Sequence, residues 1–290
     1  MSVINYYNKE TKTLTITYIF NEELKDIPEE TEIIIFGCNF DNSVDNLPRN
    51  LTHLTFGFYF KQSVDNLPKN LTHLTFGMCF NQKVDRLPKK LTHLTFGWCF
   101  NQKVNNLPKI IMLNFDAKLS SIYGYSLFNK SIDKLPETIK CLTTNYNFDM
   151  SKSPQNLCHL EVNDLQEIKN INMMPKTITK FDYIFGKNEV IPDNLDYIIL
   201  VDNIKIPQNI KKIIIDCDNI LINNLPNHIE KIFINFENCK KKQVSNLPIT
   251  IKEIIIKNEK YKKYLINIIF DVKIIIQPNF EEIKYCEYCI

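Results

Sequence analysis

The sequence Asn50-Leu51-Thr52-His53-Leu54-Thr55-Phe56-Gly57 recurs at residues 70–77 and, with Lys90 in the first place, at residues 90–97. Each copy begins 20 residues after the one before it. The segments between the copies repeat as well, as Val64-Asp65-Asn66-Leu67-Pro68 and Val84-Asp85-Arg86-Leu87-Pro88. A fixed period of this length is typical of a solenoid, in which each turn buries its apolar face against its neighbours.

The prolines extend this period beyond the identical copies. Apolar residues follow Pro48 at positions +3, +6 and +8, and the same spacing follows Pro68, Pro88 and Pro248. The last two of these residues lie two apart, so they share one face of a short strand. Proline cannot donate to a sheet and belongs at the corner before the strand. The pattern predicts a mainly β, leucine-rich-repeat-like parallel β-solenoid of about 13–14 turns, with one strand per turn.

The spacing runs through the whole chain, with no linker or low-complexity tract. We therefore predict a single repeat domain over residues 1–290. The strongest repeats lie at residues 36–140, degenerate repeats follow at 141–256, and residues 257–290 form a C-terminal cap. The apolar spacing within Glu259–Phe270 indicates a short helix in that cap. Irregular or 3₁₀ segments are expected to return the chain from each strand to the next proline.

Composition and the N-terminal sequence narrow the classes of function. A formal net charge of +2 with 23% charged residues gives no bias towards nucleic acid or an anionic membrane. The most apolar segment, residues 265–276, contains Asp271 and Lys273 and is shorter than the roughly 20 residues of a membrane span. The first residues lack the basic and apolar regions of a signal peptide. We expect a cytoplasmic protein without a nucleic-acid or membrane partner.

The segments between strands resemble a known repeat. Phe80-Asn81-Gln82-Lys83-Val84-Asp85-Arg86-Leu87-Pro88 is similar to the FNIP repeat, named for its Phe-Asn and Ile-Pro ends. Residues 100–108 and 128–136 match as well, whereas Phe40-Asp41 and Phe60-Lys61 depart at the Asn position. FNIP repeats are similar to leucine-rich repeats and abundant in proteins of amoebae and giant viruses. The resemblance implies a protein-interaction role, in the host cytoplasm if the chain is viral.

Some proteins that this chain resembles join the repeats to an N-terminal F-box, which recruits a ubiquitin ligase. The first turn begins near Thr11, so we expect no F-box. The resemblance therefore implies a non-catalytic protein–protein interaction scaffold that uses the sheet face and edge. The alternative is a substrate-recognition subunit for a ubiquitin ligase whose recruiting part is on another chain.

The outward columns of the predicted sheet form the candidate protein-binding site. Equivalent positions on successive strands hold His53, His73 and His93, then Thr55, Thr75 and Thr95, and the position after each glycine holds Phe58, Met78 and Trp98. An exposed aromatic and thioether row is typical of a binding patch, although these side chains could also fold over the loop and cap the core. The next column, with Asn39, Tyr59, Cys79 and Cys99, is predicted to face inward.

Other repeated positions have simpler interpretations. Three stacked imidazoles could bind zinc or sense pH, or could be an exposed histidine copied with the repeat. Asn81 and Asn101 are expected to form amide ladders that satisfy loop backbone groups. Basic residues just after the prolines are opposed by aspartates four residues earlier, which disfavours a nucleic-acid site. Gly57 and its equivalents end the strand, where a tight bend with positive φ is expected.

The sequence contains no motif for catalysis or cofactor binding. It has no Gly-rich phosphate loop, no His-x-x-x-His and no nucleophile elbow. Cys286-Glu287-Tyr288-Cys289 lacks a second pair of ligands for zinc, and we interpret it as a tail with two free thiols. We therefore predict a protein that is not an enzyme, that takes no cofactor or metal, and whose partner is another protein.

Overall fold

The computed structural model describes residues 6–115, 126–144, 149–162, 170–182, 190–200, 205–215, 225–236, 247–265, 268 and 271–277. Cys286 and Cys289 lie outside the described residues. The chain consists of two compact units, unit 1 (residues 1–157 and 166–169) and unit 2 (residues 158–165 and 170–290). Both consist of short strands separated by turns and 3₁₀ segments, so the predicted mainly β class is confirmed.

Unit 1 contains one antiparallel strand followed by a parallel sheet. Its strands are β1 Tyr7–Asn8, β2 Thr13–Thr15, β3 Ile33–Ile35, β4 His53–Thr55, β5 His73–Thr75, β6 His93–Phe96, β7 Met112–Phe115 and β8 Cys141–Thr144. Strands β2 to β8 pair in chain order, parallel and in register. The predicted arrangement of one parallel strand per turn is confirmed. Strand β1 was not predicted; it pairs antiparallel with β2 and extends the sheet by one strand.

The inward residues of unit 1 form continuous apolar columns, as the proline spacing predicts. Leu54, Phe56 and Phe60 are buried, as are their equivalents in the turns before and after. Within one turn the rings of Phe56 and Phe60 stack at 3.7 Å between centroids. Between turns, Phe60 lies 6.1 Å from the ring of Phe80. Burying one such phenylalanine contributes on the order of 2–3 kcal/mol, so these columns supply the core.

The repeated glycines allow successive turns to approach closely. A Cβ atom on Gly77 would lie 1.9 Å from the carbonyl oxygen of Gly57, and one on Gly97 would lie 2.2 Å from that of Gly77. None of these glycines has the positive φ considered from the sequence. That explanation was wrong: the position excludes a side chain because the neighbouring backbone occupies the space.

The Asn of the Phe-Asn pair stabilises the next turn, as the predicted amide ladder requires. Asn81 Oδ1 accepts the backbone N–H of Asn101 at 2.8 Å, and Asn101 Oδ1 accepts that of Asn129 at 3.0 Å. Asp41 supplies the same acceptor to the N–H of Lys61 at 2.8 Å. The Lys61 side chain is a donor only, so it cannot accept the N–H of Asn81. This explains why Asp41 can take the place of Asn in the ladder, whereas Lys61 interrupts the ladder.

Unit 2 has parallel strands with apolar residues on both faces. They are β9 His159–Val162, β10 Lys180–Asp182, β11 Tyr197–Leu200, β12 Lys212–Ile215, β13 Lys231–Ile234, β14 Glu253–Ile256 and β15 Lys273–Ile276. Strands β9 and β10 pair with each other, and β11 to β15 pair in chain order. Ile213 and its equivalents face inward as predicted, but Ile214, Phe233 and Ile255 on the opposite face are buried too.

The C-terminal cap contains the 3₁₀ helix Glu259–Tyr264. Asn258 precedes it, and its side chain accepts the N–H of Lys260 at 3.0 Å, which caps the helix. Tyr261 is buried and fixes the helix to the unit. The predicted short helix is therefore present at 259–264, with a tighter winding than an α-helix. In the part of the chain that the structure describes, no helix is long and apolar enough to cross a membrane.

Candidate protein-binding surface

The outward face of β4, β5 and β6 carries the two columns expected from the sequence, which together we call the sheet face. His53, His73 and His93 occupy one register and are half-buried, and their threonine neighbours occupy the next. The imidazole rings stack with centroids 4.1 Å apart in both pairs. The strand spacing of the sheet thus sets the spacing of the rings.

A hydrogen-bond network fixes the orientation of these rings. The Thr72 hydroxyl donates to the carbonyl oxygen of Thr52 at 3.1 Å and lies 2.9 Å from Nδ1 of His73. Because the hydroxyl has only one proton, Nδ1–H of His73 must donate to it. The same pair of contacts occurs at Thr52 with His53 and at Thr92 with His93. Each histidine is therefore the Nδ1–H tautomer, with an acceptor at Nε2.

Packing also keeps the central imidazole neutral. Burial lowers the pKa of His73 to about 4, and the neighbouring charges that His93 and His53 would carry lower it further. The parallel stack directs the Nε2 lone pairs side by side, whereas zinc requires ligands that converge on one point. Among the residues described, no group of three or more His, Cys, Asp or Glu could hold a metal ion. At the centre of the sheet face, His73 therefore presents a neutral hydrogen-bonding group.

The loop that follows each strand forms the second part of the surface. We call it the strand-end edge; its described residues are Tyr18, Ile19, Cys38, Asn39, Phe58, Tyr59, Met78, Cys79, Trp98, Cys99 and Leu127. Backbone hydrogen bonds join successive turns here, as from Tyr59 N–H to the Cys38 carbonyl at 2.9 Å. Successive turns are therefore hydrogen-bonded to one another at the edge as well as along the strands.

Exposure along this edge differs from the sequence prediction. Phe58 and Trp98 are half-buried, but Met78 is only 8% exposed and packs inward. In the column predicted to face inward, Tyr59 is 47% exposed and packs edge-to-face on Phe58 at 4.7 Å. That prediction was wrong for Tyr59, because the loop has no regular strand alternation and the Tyr59 side chain lies outside, against Phe58.

Large apolar side chains concentrate on this side of unit 1. The exposed ones among its described residues are Tyr18 (62% exposed), Ile19 (80%), Ile35, Tyr59 and Leu127 (48%). Ile35 lies on the outward face of β3, and the other four belong to the strand-end edge. The proline corners and return segments of the described part of unit 1 carry no exposed large apolar residue. Exposed apolar residues grouped on one side indicate an interaction surface.

The proline corners carry charge instead. Arg49, Lys69 and Lys89 are exposed on successive turns. The aspartates expected to oppose them bind other groups: Asp45 Oδ1 accepts from the Asn66 side chain at 3.0 Å, and Asp85 Oδ1 accepts from that of Asn106 at 2.9 Å. Among the described residues, no ion pair joins the basic row to these aspartates.

Unit 2 contains a buried polar cluster that sequence reasoning missed. The Tyr197 hydroxyl donates to the carboxylate of Asp182, and His159 Nε2 lies 3.8 Å from that carboxylate. All three residues are buried, and burial together with the Asp182 charge raises the pKa of Tyr197. The three lie on β9, β10 and β11, whose turns differ in length, so no fixed spacing in the sequence links them. Their burial makes them a structural network and not an accessible site.

The fold, together with its match to the solved structure of CroV588, defines the class of protein. CroV588, described as a novel circular LRR protein, matches 92% of this chain with a TM-score of 0.58 and 26% identity. The match covers 44% of CroV588, so this chain spans less than half of that protein's length. YopM from Yersinia enterocolitica matches with a TM-score of 0.41 and 16% identity, covering 84% of this chain and 65% of YopM. The leucine-rich repeat-containing protein LegL7 from Legionella pneumophila matches with a TM-score of 0.36 and 14% identity, covering 85% of this chain and 91% of LegL7. The chain is a leucine-rich-repeat-like protein.

The family follows from the repeats themselves. The FNIP repeat model matches residues 20–59, 43–79 and 63–97. Residues 20–97 therefore consist of FNIP repeats, as their Phe-Asn segments indicate. No curated protein matches it significantly. Repeat families of this kind are generally non-catalytic scaffolds that mediate protein interactions.

Proposed function

We propose that this protein is a non-catalytic scaffold that binds a protein partner through the sheet face and strand-end edge of unit 1. The observation that carries the proposal is the distribution of exposed apolar side chains. Ile19 and Tyr59 are exposed on the edge, and Ile35 is exposed on the face beside it. A partner that covers them removes apolar area from water, at about 25 cal/mol per Å².

The sheet face gives the surface its polar part. The stack sets the orientation of the acceptors on His53, His73 and His93. Hydroxyl groups lie beside them on Thr55, Thr75 and Thr95. Side chains fixed before binding lose little conformational entropy when a partner docks. Phe58 and Trp98 contribute half-buried aromatic surface at the rim, and buried Met78 supports the loop from beneath. An apolar edge beside an oriented polar face is typical of a protein interface.

The proposal is tested by affinity capture with a surface variant. Ile19→Ser with Tyr59→Ser removes two exposed apolar side chains and touches no core column. We expect recovery of specific partners to fall at least about tenfold, since hot-spot losses of 2 kcal/mol or more are common. Lys83→Ala, on the exposed return segment of the same stack, is the matched control and should retain them.

Two results would contradict the proposal. Equal recovery of all partners by the wild type and the double variant, with unchanged circular dichroism, would show that the edge is not the binding surface. Recovery of cullin-complex subunits, retained by the double variant, would instead favour the ubiquitin-ligase adaptor.

A further inference from the structure

Cys79 and Cys99 occupy the same position in consecutive turns of the strand-end edge. The N–H of Cys79 donates to the Phe58 carbonyl and the N–H of Cys99 to the Met78 carbonyl, both at 2.9 Å. The second of these bonds joins the turn of Cys79 to that of Cys99 and holds the two Cα atoms one turn apart, at about 4.8 Å. That separation lies within the range of about 4.4–6.8 Å that a disulfide spans. The Cα separation is therefore one that a cross-link between turns can span.

Both thiols are available for chemistry. Each is a free cysteine and half-buried, so a small reagent can reach it from the edge. Burial raises the pKa of the Cys99 thiol, and the adjacent Cys79 thiol raises it further. Little of Cys99 is thiolate at neutral pH, which slows its reaction without preventing it.

We propose that Cys79 and Cys99 form a redox-sensitive dithiol, which a low-molecular-weight disulfide converts into a disulfide between turns. The thiolate of Cys79 attacks one sulfur of the reagent and releases the first thiol, leaving a mixed disulfide on Cys79. The thiolate of Cys99 then attacks the Cys79 sulfur, forms the Cys79–Cys99 bond and releases the second thiol. The two cysteines are oxidised by two electrons, the reagent is reduced, and the two protons leave on the two released thiols.

Such a disulfide would cross-link two neighbouring turns at the strand-end edge. It would lie in the column between Tyr59 and Leu127, both of which are exposed. It would also close a loop that is one 20-residue period long, so it would resist the separation of two neighbouring turns. The chemistry needs no protein partner, so its test does not depend on the proposed function.

The test is peptide mapping of the full chain after treatment with oxidised glutathione under native conditions. Trypsin places Cys79 in peptide 70–83 and Cys99 in peptide 91–103, so a bond between them yields one linked peptide that has lost two hydrogen atoms. We expect this peptide in roughly tenfold higher yield from folded than from urea-unfolded protein, and faster formation as pH rises towards the thiol pKa. Reduction should reverse it.

Variants separate this outcome from nonspecific oxidation. Cys79→Ser and Cys99→Ser should each abolish the linked peptide and leave the remaining cysteine as a glutathione adduct. Cys38→Ser, at a half-buried thiol in the same edge, should leave the linked peptide unchanged. The proposal is overturned if folded wild type gives separate glutathione adducts on the two peptides, or if folding does not increase the yield of the linked peptide.

Discussion

Replacing Gly77 by alanine tests whether successive turns are in backbone contact. The new Cβ would lie 1.9 Å from the Gly57 oxygen, 2.4 Å from its carbonyl carbon and 3.0 Å from the Phe58 nitrogen. All three are backbone atoms, so no side chain can rotate away. The oxygen must move to about 3.4 Å before contact becomes ordinary, which separates the two turns by about 1.5 Å at this point.

That separation breaks hydrogen bonds on both sides of the glycine. Phe56 N–H donates to the Thr75 carbonyl at 2.8 Å, and Cys79 N–H donates to the Phe58 carbonyl at 2.9 Å. Losing two backbone bonds whose groups stay partly buried costs about 1–3 kcal/mol each. Alanine recovers at most about 1 kcal/mol by restricting the unfolded chain. We therefore expect the free energy of unfolding to fall by about 1–5 kcal/mol.

Urea denaturation, monitored by tryptophan fluorescence, measures this loss of stability in the part of the chain that contains Gly77. Trp98 is the only tryptophan of the protein, and its loop lies one turn from Gly77. The matched control is Lys83→Ala, at an exposed residue with no partner among the residues described, and should stay within about 0.5 kcal/mol of wild type. If Gly77→Ala is as stable as this control, close approach of the turns does not explain the repeated glycine.

Three further predictions concern side chains around the stack. Lys61→Asn should stabilise the protein by about 0.5 kcal/mol in thermal or urea unfolding, because the amide would accept the N–H of Asn81; no gain would show that this ladder contributes nothing. Since the folded pKa of His73 (about 4) lies below its unfolded value of 6.5, the unfolded chain binds the proton first, and stability should fall as pH drops from 6.5 to 4. With a discount for solvent screening the loss is on the order of 1–2 kcal/mol, and His73→Gln should show a smaller loss; identical pH profiles would contradict the assignment. Tyr197→Phe should lower thermal stability by about 1–3 kcal/mol, because the buried Asp182 carboxylate loses its donor, and an unchanged melting temperature would exclude that role.

The core of unit 1 could be predicted because each inward position repeats the same chemistry. Leu54, Phe56 and Phe60 recur at a fixed period, and a proline marks the corner before each of the strands β3 to β8. The reason for Gly57 could not be predicted from the sequence. Glycine is the expected residue both where two backbones approach closely and where φ is positive. The difference depends on where the neighbouring turn lies, which only the three-dimensional stack defines.

The candidate surface was predicted only in part. The columns of His73 and Thr75 follow directly from strand alternation. Exposure of Tyr59 and burial of Met78 do not, because both lie in a loop where no alternation rule applies. In unit 2 the uninterrupted apolar run Ile213–Ile215 in β12 did contain a signal, since strands buried on both faces lose their alternation.

The central claim is that a partner docks on the sheet face and strand-end edge, and site-specific photo-crosslinking tests it most directly. A benzophenone amino acid at Tyr59 places the probe on the edge, one at Thr75 places it on the sheet face, and one at Lys83 places it on the return segment of the same stack. The account predicts that one protein partner crosslinks from Tyr59 and Thr75 and not from Lys83. Crosslinking of the partner from Lys83 alone would contradict it.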